Sequence, residues 1–257
     1  MNNEISESAK AVQEVAKTTN VAIEATKQLG GFVSRIIDEP LEAVVGILAD
    51  RLKFIRAERQ FRLVDRWGQI MQERKIGPTL RIVPPKLALP IIENASIEEN
   101  DELQDLWANL LASAVDPNFK GILRSAYIDI IKQLEVNDVH VLNFIYSKYK
   151  ENNLTYREGL KLNPRSNTDA YADPNKVPVL MRHILASTKI GSQEYKESVD
   201  NLIRVRCIAS HIEDEQIRTE VEGKLIAKTV RFTHIYNLVC MTPLGISFAE
   251  ACTGQVS

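Results

Sequence analysis

Apolar residues recur along most of this chain at steps of three and four, the spacing of one face of an α-helix. In residues 5–29 that face is Ile5, Ala9, Val12, Ala16, Thr19, Ile23 and Thr26. Its side chains are small, so burying it stabilises little. Gly30-Gly31 is expected to stop or bend this helix. Phe32–Asp38 reads as a short helix or helical turn, and a long helix is expected from about Leu41 to Glu73. Pro40 and the acids Asp38 and Glu39 suit its start. Phe54, Ala57, Phe61, Val64, Trp67 and Met71 share its broad apolar side, whereas Arg51, Arg59, Arg62 and Arg66 fall on another. Gly77-Pro78 ends it. Arg81–Pro90 holds Pro84, Pro85 and Pro90, which oppose both helix and interior strand. It is read as an extended connector, packed on its neighbours through Ile82, Val83, Leu87 and Leu89.

Asn100 is the expected N-cap of a helix from Asp101 to about Ala114, with Leu103, Leu106, Trp107, Leu110 and Leu111 as its stripe. Asp116-Pro117-Asn118 is a stop. A further helix is expected over Leu123–Leu134, with Tyr127, Ile130, Ile131 and Leu134 inward. Another is expected after an Asn137 cap, with Val139, Leu142, Ile145, Tyr146 and Tyr149 apolar. Residues 151–177 read as a loop marked by Asn163-Pro164, Asn167 and Asp173-Pro174. Helices are expected at Val179–Ser187 and Glu194–Ala209. The period then changes. Val230 and Phe232, then Tyr236, Leu238 and Cys240, alternate around Thr233-His234-Ile235 and predict a hairpin. Thr242-Pro243 opens a last helix with Leu244, Phe248 and Cys252 inward.

The expected fold is mainly α, with a helical N-terminal part and a small α+β part holding one β-hairpin. That last part is winged-helix-like in its order of elements, a fold-level likeness that does not imply DNA binding. The expected organisation is an amphipathic arm over 1–31, a helical region over 32–118 and the winged-helix-like region over 119–257.

Composition narrows the classes. The chain has 257 residues, 32 basic and 34 acidic, for a net charge of −2, with 44% hydrophobic residues. These values fit a globular protein. No apolar run approaches the roughly 20 residues that span a bilayer. The N-terminus has no basic and apolar leader, and Cys207, Cys240 and Cys252 are an odd, sparse set. Free thiols and a cytoplasmic location, with peripheral contact at the inner membrane open, are therefore expected.

Candidate chemistry is thin. Cys207 and His211 are four apart, but the ligand spacings of zinc sites are missing. No nucleophile elbow, phosphate loop or dinucleotide fingerprint is present. No catalytic residue, metal or cofactor is expected. Charge is distributed more tellingly. Residues 51–75 carry eight basic and three acidic residues, a local net of +5. Such a face suits an anionic membrane surface or an acidic partner. It also suits the six acids between Glu93 and Asp105 of the same chain. Nucleic acid is the least favoured partner, because the acids Glu213, Asp214, Glu215, Glu220 and Glu222 would repel phosphates.

One segment is distinctive: Arg81-Ile82-Val83-Pro84-Pro85-Lys86-Leu87-Ala88-Leu89-Pro90-Ile91-Ile92-Glu93-Asn94-Ala95-Ser96. Glu98, Glu99, Leu103, Gln104, Trp107, Ala108, Leu110, Leu111 and Ala114-Val115-Asp116-Pro117 follow. This resembles the signature of the Abi-alpha family, bacterial proteins of abortive infection and phage defence. Met241-Thr242-Pro243-Leu244-Gly245 with Phe248 and Cys252 resembles that family's C-terminal end, with Met241 in place of an expected leucine. The resemblance runs from about Leu41 to Cys252, and its specific part is Ile82–Pro117. It implies a protein that blocks phage propagation at the cost of the infected cell, and it implies no catalytic residue. Within the signature, Pro84 and Pro85 stiffen the chain, Trp107 reads as core, and Glu93, Asn94 and Glu98 are the polar residues to test.

Three functions follow as expectations. The first is a non-enzymatic defence effector. It would act by association with a membrane, or with a phage or host protein, through Arg51, Arg59, Arg62, Arg66 and Trp67. Its N-terminal helices would serve for self-association. The second is a cryptic metal-dependent hydrolase or nuclease using Glu93, Glu98 or Asp105. The third is a winged-helix DNA-binding regulator.

Overall fold

A computed structural model describes residues 30–31, 33–37, 46, 57–162, 179–210, 212–221, 224–233, 236 and 238–253. The expected arm over residues 5–29, most of the segment between Asp38 and Arg56 with Arg51, and the turn signals between 163 and 177 lie outside the described residues. The chain is mainly helical, with a small antiparallel sheet in its C-terminal part. The described residues form two compact units, one ending at Lys132 and taking in Ala251–Thr253, the other running Gln133–Glu250.

The first unit is built around three helices. They are α1 (Ala57–Glu73), α2 (Pro85–Ile97) and α3 (Asp101–Val115), followed by the short α4 (Ala126–Ile131). Residues 30, 31 and 33–37 are also helical, and Val33 and Ile36 are fully buried; the helix that Gly30-Gly31 was expected to stop or bend lies outside the described residues. The end of α1 at Glu73 matches expectation, and Lys75 (φ 54°) turns the chain away, with Ile76 N–H donating to Met71 O. Leu63, Trp67 and Ile70 bury one side of α1.

The expected connector over Arg81–Pro90 is corrected. Only its first part is non-helical, and Pro85 is the first residue of α2. A proline there gives up a hydrogen bond the helix never makes. Pro90 inside the helix removes one bond to Lys86 O, at an exposed first turn that water can reach. Burial of Ala88, Ile91, Ile92 and Ala95 against the other helices outweighs that loss.

α3 is the centre of this unit. From Leu103 to Asp116 every residue except Asp105 is buried. Asn100 caps it as expected, accepting from the N–H groups of Glu102 and Leu103. Asp116 ends it, its Oδ1 accepting from Asn118 N–H. The expected helix at Leu123–Leu134 shortens to α4, but its four inward residues are buried as read.

The second unit starts with α5 (Val136–Leu162), so the expected loop from 151 onward is helical as far as Leu162. Asn137 is not its cap. Asp138, in the first turn, accepts from Glu135 N–H and from Asn201 Nδ2. β1 (Val179–Leu180), α6 (Met181–Thr188), α7 (Ser192–Arg204) and β2 (Ile208–Ser210) follow. The strands take residues from both ends of the two expected helices. α6 and α7 form a helix–turn–helix around Lys189 (φ 58°) and Gly191.

β3 (Ile212–Val221) and β4 (Lys224–Thr233) pair with each other, Ile212 opposite Thr233 and Val221 opposite Lys224. β5 (Leu238–Met241) pairs instead with β1 and β2, in the order β1-β5-β2. The hairpin expected between Val230–Phe232 and Tyr236–Cys240 is therefore corrected. Val230 and Phe232 lie on β4, Leu238 and Cys240 on β5 and Tyr236 in the turn before β5, and the hairpin partner of β4 is the charged segment before it. α8 (Pro243–Cys252) closes the fold. Thr242 caps it as expected, its Oγ1 accepting from Gly245 N–H at 2.9 Å.

Candidate functional site

The most structured polar surface joins α1 to the start of α3. Arg59, Arg62 and Arg66 stand at steps of three and four, hence on one side of α1. The Asn100 cap fixes where α3 begins and so where its early acids stand. Arg59 donates to Glu99 Oε1 at 2.5 Å and to Ile97 O at 2.9 Å. Arg62 donates to Asp101 Oδ1 and to Glu98 O. Arg66 grips Asp105 with two bonds, Nε to Oδ1 at 2.5 Å and an Nη to Oδ2 at 2.8 Å. The Asp105 hydrogen bond holds the Arg66 guanidinium above its ordinary pKa. The three arginines thus bridge the last carbonyls of α2 and the first acids of α3. Both ends of that turn carry partial or full negative charge, which is what arginine satisfies.

Of the contact residues expected on this helix, Arg59, Arg62 and Arg66 are together in the ladder. Trp67 is in the core at 7% exposure. In the signature segment, Pro84 precedes α2 and Pro85 opens it, both exposed. Glu93 is half-buried on α2, and Asn94 Nδ2 donates to Pro90 O at 2.6 Å. Glu98 Oε1 accepts from Asn100 N–H at 3.0 Å. Trp107 is buried at 1%, and its indole N–H has no hydrogen-bond partner among the described residues. Glu98 thus serves the turn before α3, and Asn94 a carbonyl within α2.

A buried polar cluster escaped the sequence reading. Arg74 donates to Ser113 Oγ at 2.8 Å and to Asn109 Oδ1 at 2.5 Å. Ser113 Oγ donates in turn to Ala251 O at 2.7 Å. Burial lowers the Arg74 pKa, and the nearby Asp116 charge opposes that shift. The signal was present as Asn109 and Ser113 four apart in an otherwise apolar run, a pair that one long donor can reach.

Catalytic geometry is sparse. Among the described residues no three His, Cys, Asp or Glu side chains are grouped to hold a metal ion. Burial pushes the Cys207 thiol up to about 12, far from a thiolate nucleophile at neutral pH. A recess of about 330 Å³ in the second unit is lined by Leu180, Met181, Arg182 and Leu185 and is almost wholly apolar.

The family model for abortive infection alpha matches residues 58–252, more than half of the chain. The chain belongs to the abortive infection alpha family. No curated protein and no solved structure matches it. The family assignment ties the chain to abortive infection, a form of phage defence, in general terms. The matched region takes in the arginine ladder, the signature segment, the buried Arg74 cluster, the second unit and the first unit from residue 58 to Lys132, and it begins after Arg51. No described helix is long and apolar enough to cross a membrane.

Proposed function

We propose that this member of the abortive infection alpha family is an antiphage effector that works by association rather than by catalysis. The observation that carries this reading is the commitment of the early α3 acids. Asp101 and Asp105 each serve an arginine of α1, Glu99 serves Arg59, and Glu98 serves the backbone of Asn100. Carboxylates held in this way are structural groups. That these acids serve the fold supports a reading in which they are not a catalytic pair.

The winged-helix alternative draws on the helix–turn–helix and the β1-β5-β2 order of the second unit. Its second helix exposes Glu194, Glu197 and Asp200. Lys196 lies over the Tyr236 ring, and Arg204 bonds Gln133 and Asn201. A face of that sign repels a phosphate backbone, which favours a protein or membrane target.

The test is phage plating on cells expressing the chain, compared with Glu93→Gln, Glu98→Gln and Asp105→Asn variants. The expected outcome is protection within about threefold of wild type for each, since amides preserve most of these hydrogen bonds. Loss of protection by orders of magnitude in one variant of unchanged melting temperature would instead point to catalysis.

A further inference from the structure

Two loops of the first unit lie side by side. Arg81 N–H donates to Val115 O at 2.7 Å, and the Arg81 guanidinium donates to Phe119 O at 2.9 Å. These bonds tie the loop before α2 to the loop after α3. Val83 N–H donates to Ile36 O at 2.7 Å, so Arg81 and Val83 are both anchored to the body, with Ile82 between them. Ile82 is 53% exposed and Ile122 is 69% exposed. The second loop is packed on itself, because the Phe119 ring lies 2.5 Å from where a Cβ on Gly121 would stand. The exposure of Ile122 therefore belongs to a loop with internal contacts.

Charge on these loops is one-sided. Residues 76–86 and 117–125 contain four basic residues, Arg81, Lys86, Lys120 and Arg124, and no acidic one. Lys86, Lys120 and Arg124 are exposed. This contrasts with α1, whose arginines are answered by the chain's own acids. Single exposed apolar residues are ordinary on a surface; here two large ones stand on loops that Arg81 ties together, and the charges within those loops are all basic.

We infer that the loop pair around Ile82 and Ile122 docks on an anionic membrane surface, the isoleucines entering the acyl boundary while Lys86, Lys120 and Arg124 meet the headgroups. An isoleucine more than two-thirds exposed stands out into solvent. It suits shallow insertion better than it suits lining a groove for a peptide. Lysine and arginine beside it have the reach to keep their charges at the headgroup level. This assignment rests on the association reading of function, and it moves the contact surface from α1 to the loops.

The test is flotation of the full chain with vesicles of phosphatidylglycerol mixed with phosphatidylcholine, and with phosphatidylcholine alone. Binding to the anionic vesicles only, weakened by salt, is expected. Ile82→Ser with Ile122→Ser should lower binding about tenfold or more. Lys120→Gln with Arg124→Gln, which leaves both isoleucines in place, should weaken it and flatten its salt dependence. All these positions are exposed, so unchanged melting temperatures are expected alongside. Failure of the wild type to float, or equal flotation of the double variants, would overturn the assignment. Binding to poly-glutamate without binding to vesicles would overturn it in favour of an acidic protein partner. Loss of vesicle binding with phage protection intact would support the surface and contradict the association reading of function.

Discussion

At the scale of single residues, Asn100 decides more than its size implies. Its side chain accepts two N–H groups of α3, and its own N–H is held by Glu98. That geometry starts α3 where Asp101 and Asp105 meet Arg62 and Arg66. Asn100→Ala should cost about 1 kcal/mol, read as a lower midpoint in urea denaturation. The arginine pairs themselves contribute little one by one, because their carboxylates are largely exposed and exposed pairs are worth about 0–1 kcal/mol. Burial also sets a pH dependence. Cys207 rises from its ordinary 9.0 to about 12, and Tyr195 from 10.0 to about 12. Between about pH 9 and about pH 12 the unfolded chain releases protons that the fold retains, so stability falls as pH rises through that window. Denaturation at about pH 8 and about pH 10 should show the lower midpoint at the higher pH, and native Cys207 should resist alkylation at both. An unchanged midpoint would contradict this.

Elements show where sequence patterns suffice and where packing overrides them. The end of α1, the Asn100 cap, the inward residues of α3 and α4, and the Thr242-Pro243 start of α8 were legible, because each rests on local chemistry. The Arg81–Pro90 segment was misread because proline rules treat the backbone alone. A cost of one helix hydrogen bond at Pro90 yields to four buried apolar side chains in α2. The hairpin was misplaced because alternation marks a strand but not its partner, and the acidic β3 carries too little apolar signal to be recognised. Gly245 is an element-scale constraint that no pattern reveals. A Cβ there would lie 1.8 Å from Cys207 O, a backbone atom that cannot swing aside. Gly245→Ala should push α8 off the β2 end and cost about 1–3 kcal/mol or more, visible as a clear drop in melting temperature.

On the scale of the whole molecule, the family was legible in the signature because its residues are fixed by several demands at once. Pro85 opens α2, Glu98 and Asn100 make the turn, and Trp107 fills the core. The same overlap hid the site. A residue that packs and a residue that makes contact look alike in one sequence, and the basic stretch of α1 suited both an outside partner and the acids between Glu93 and Asp105 until the ladder showed the internal pairing. Conversely, Ile82 read as a packed apolar position and Ile122 drew no reading, and only their exposure, with Lys86, Lys120 and Arg124 nearby in the chain, sets them apart. The central claim is that a defence protein of this family acts through a surface rather than through an active site. It is tested most directly by phage plating with two variants in one experiment. One is the Ile82→Ser, Ile122→Ser pair. The other is the Glu93→Gln, Glu98→Gln, Asp105→Asn triple. The isoleucine pair is expected to lose protection while the carboxylate triple keeps it. Protection kept by the pair and lost by the triple, with both folded, would contradict it.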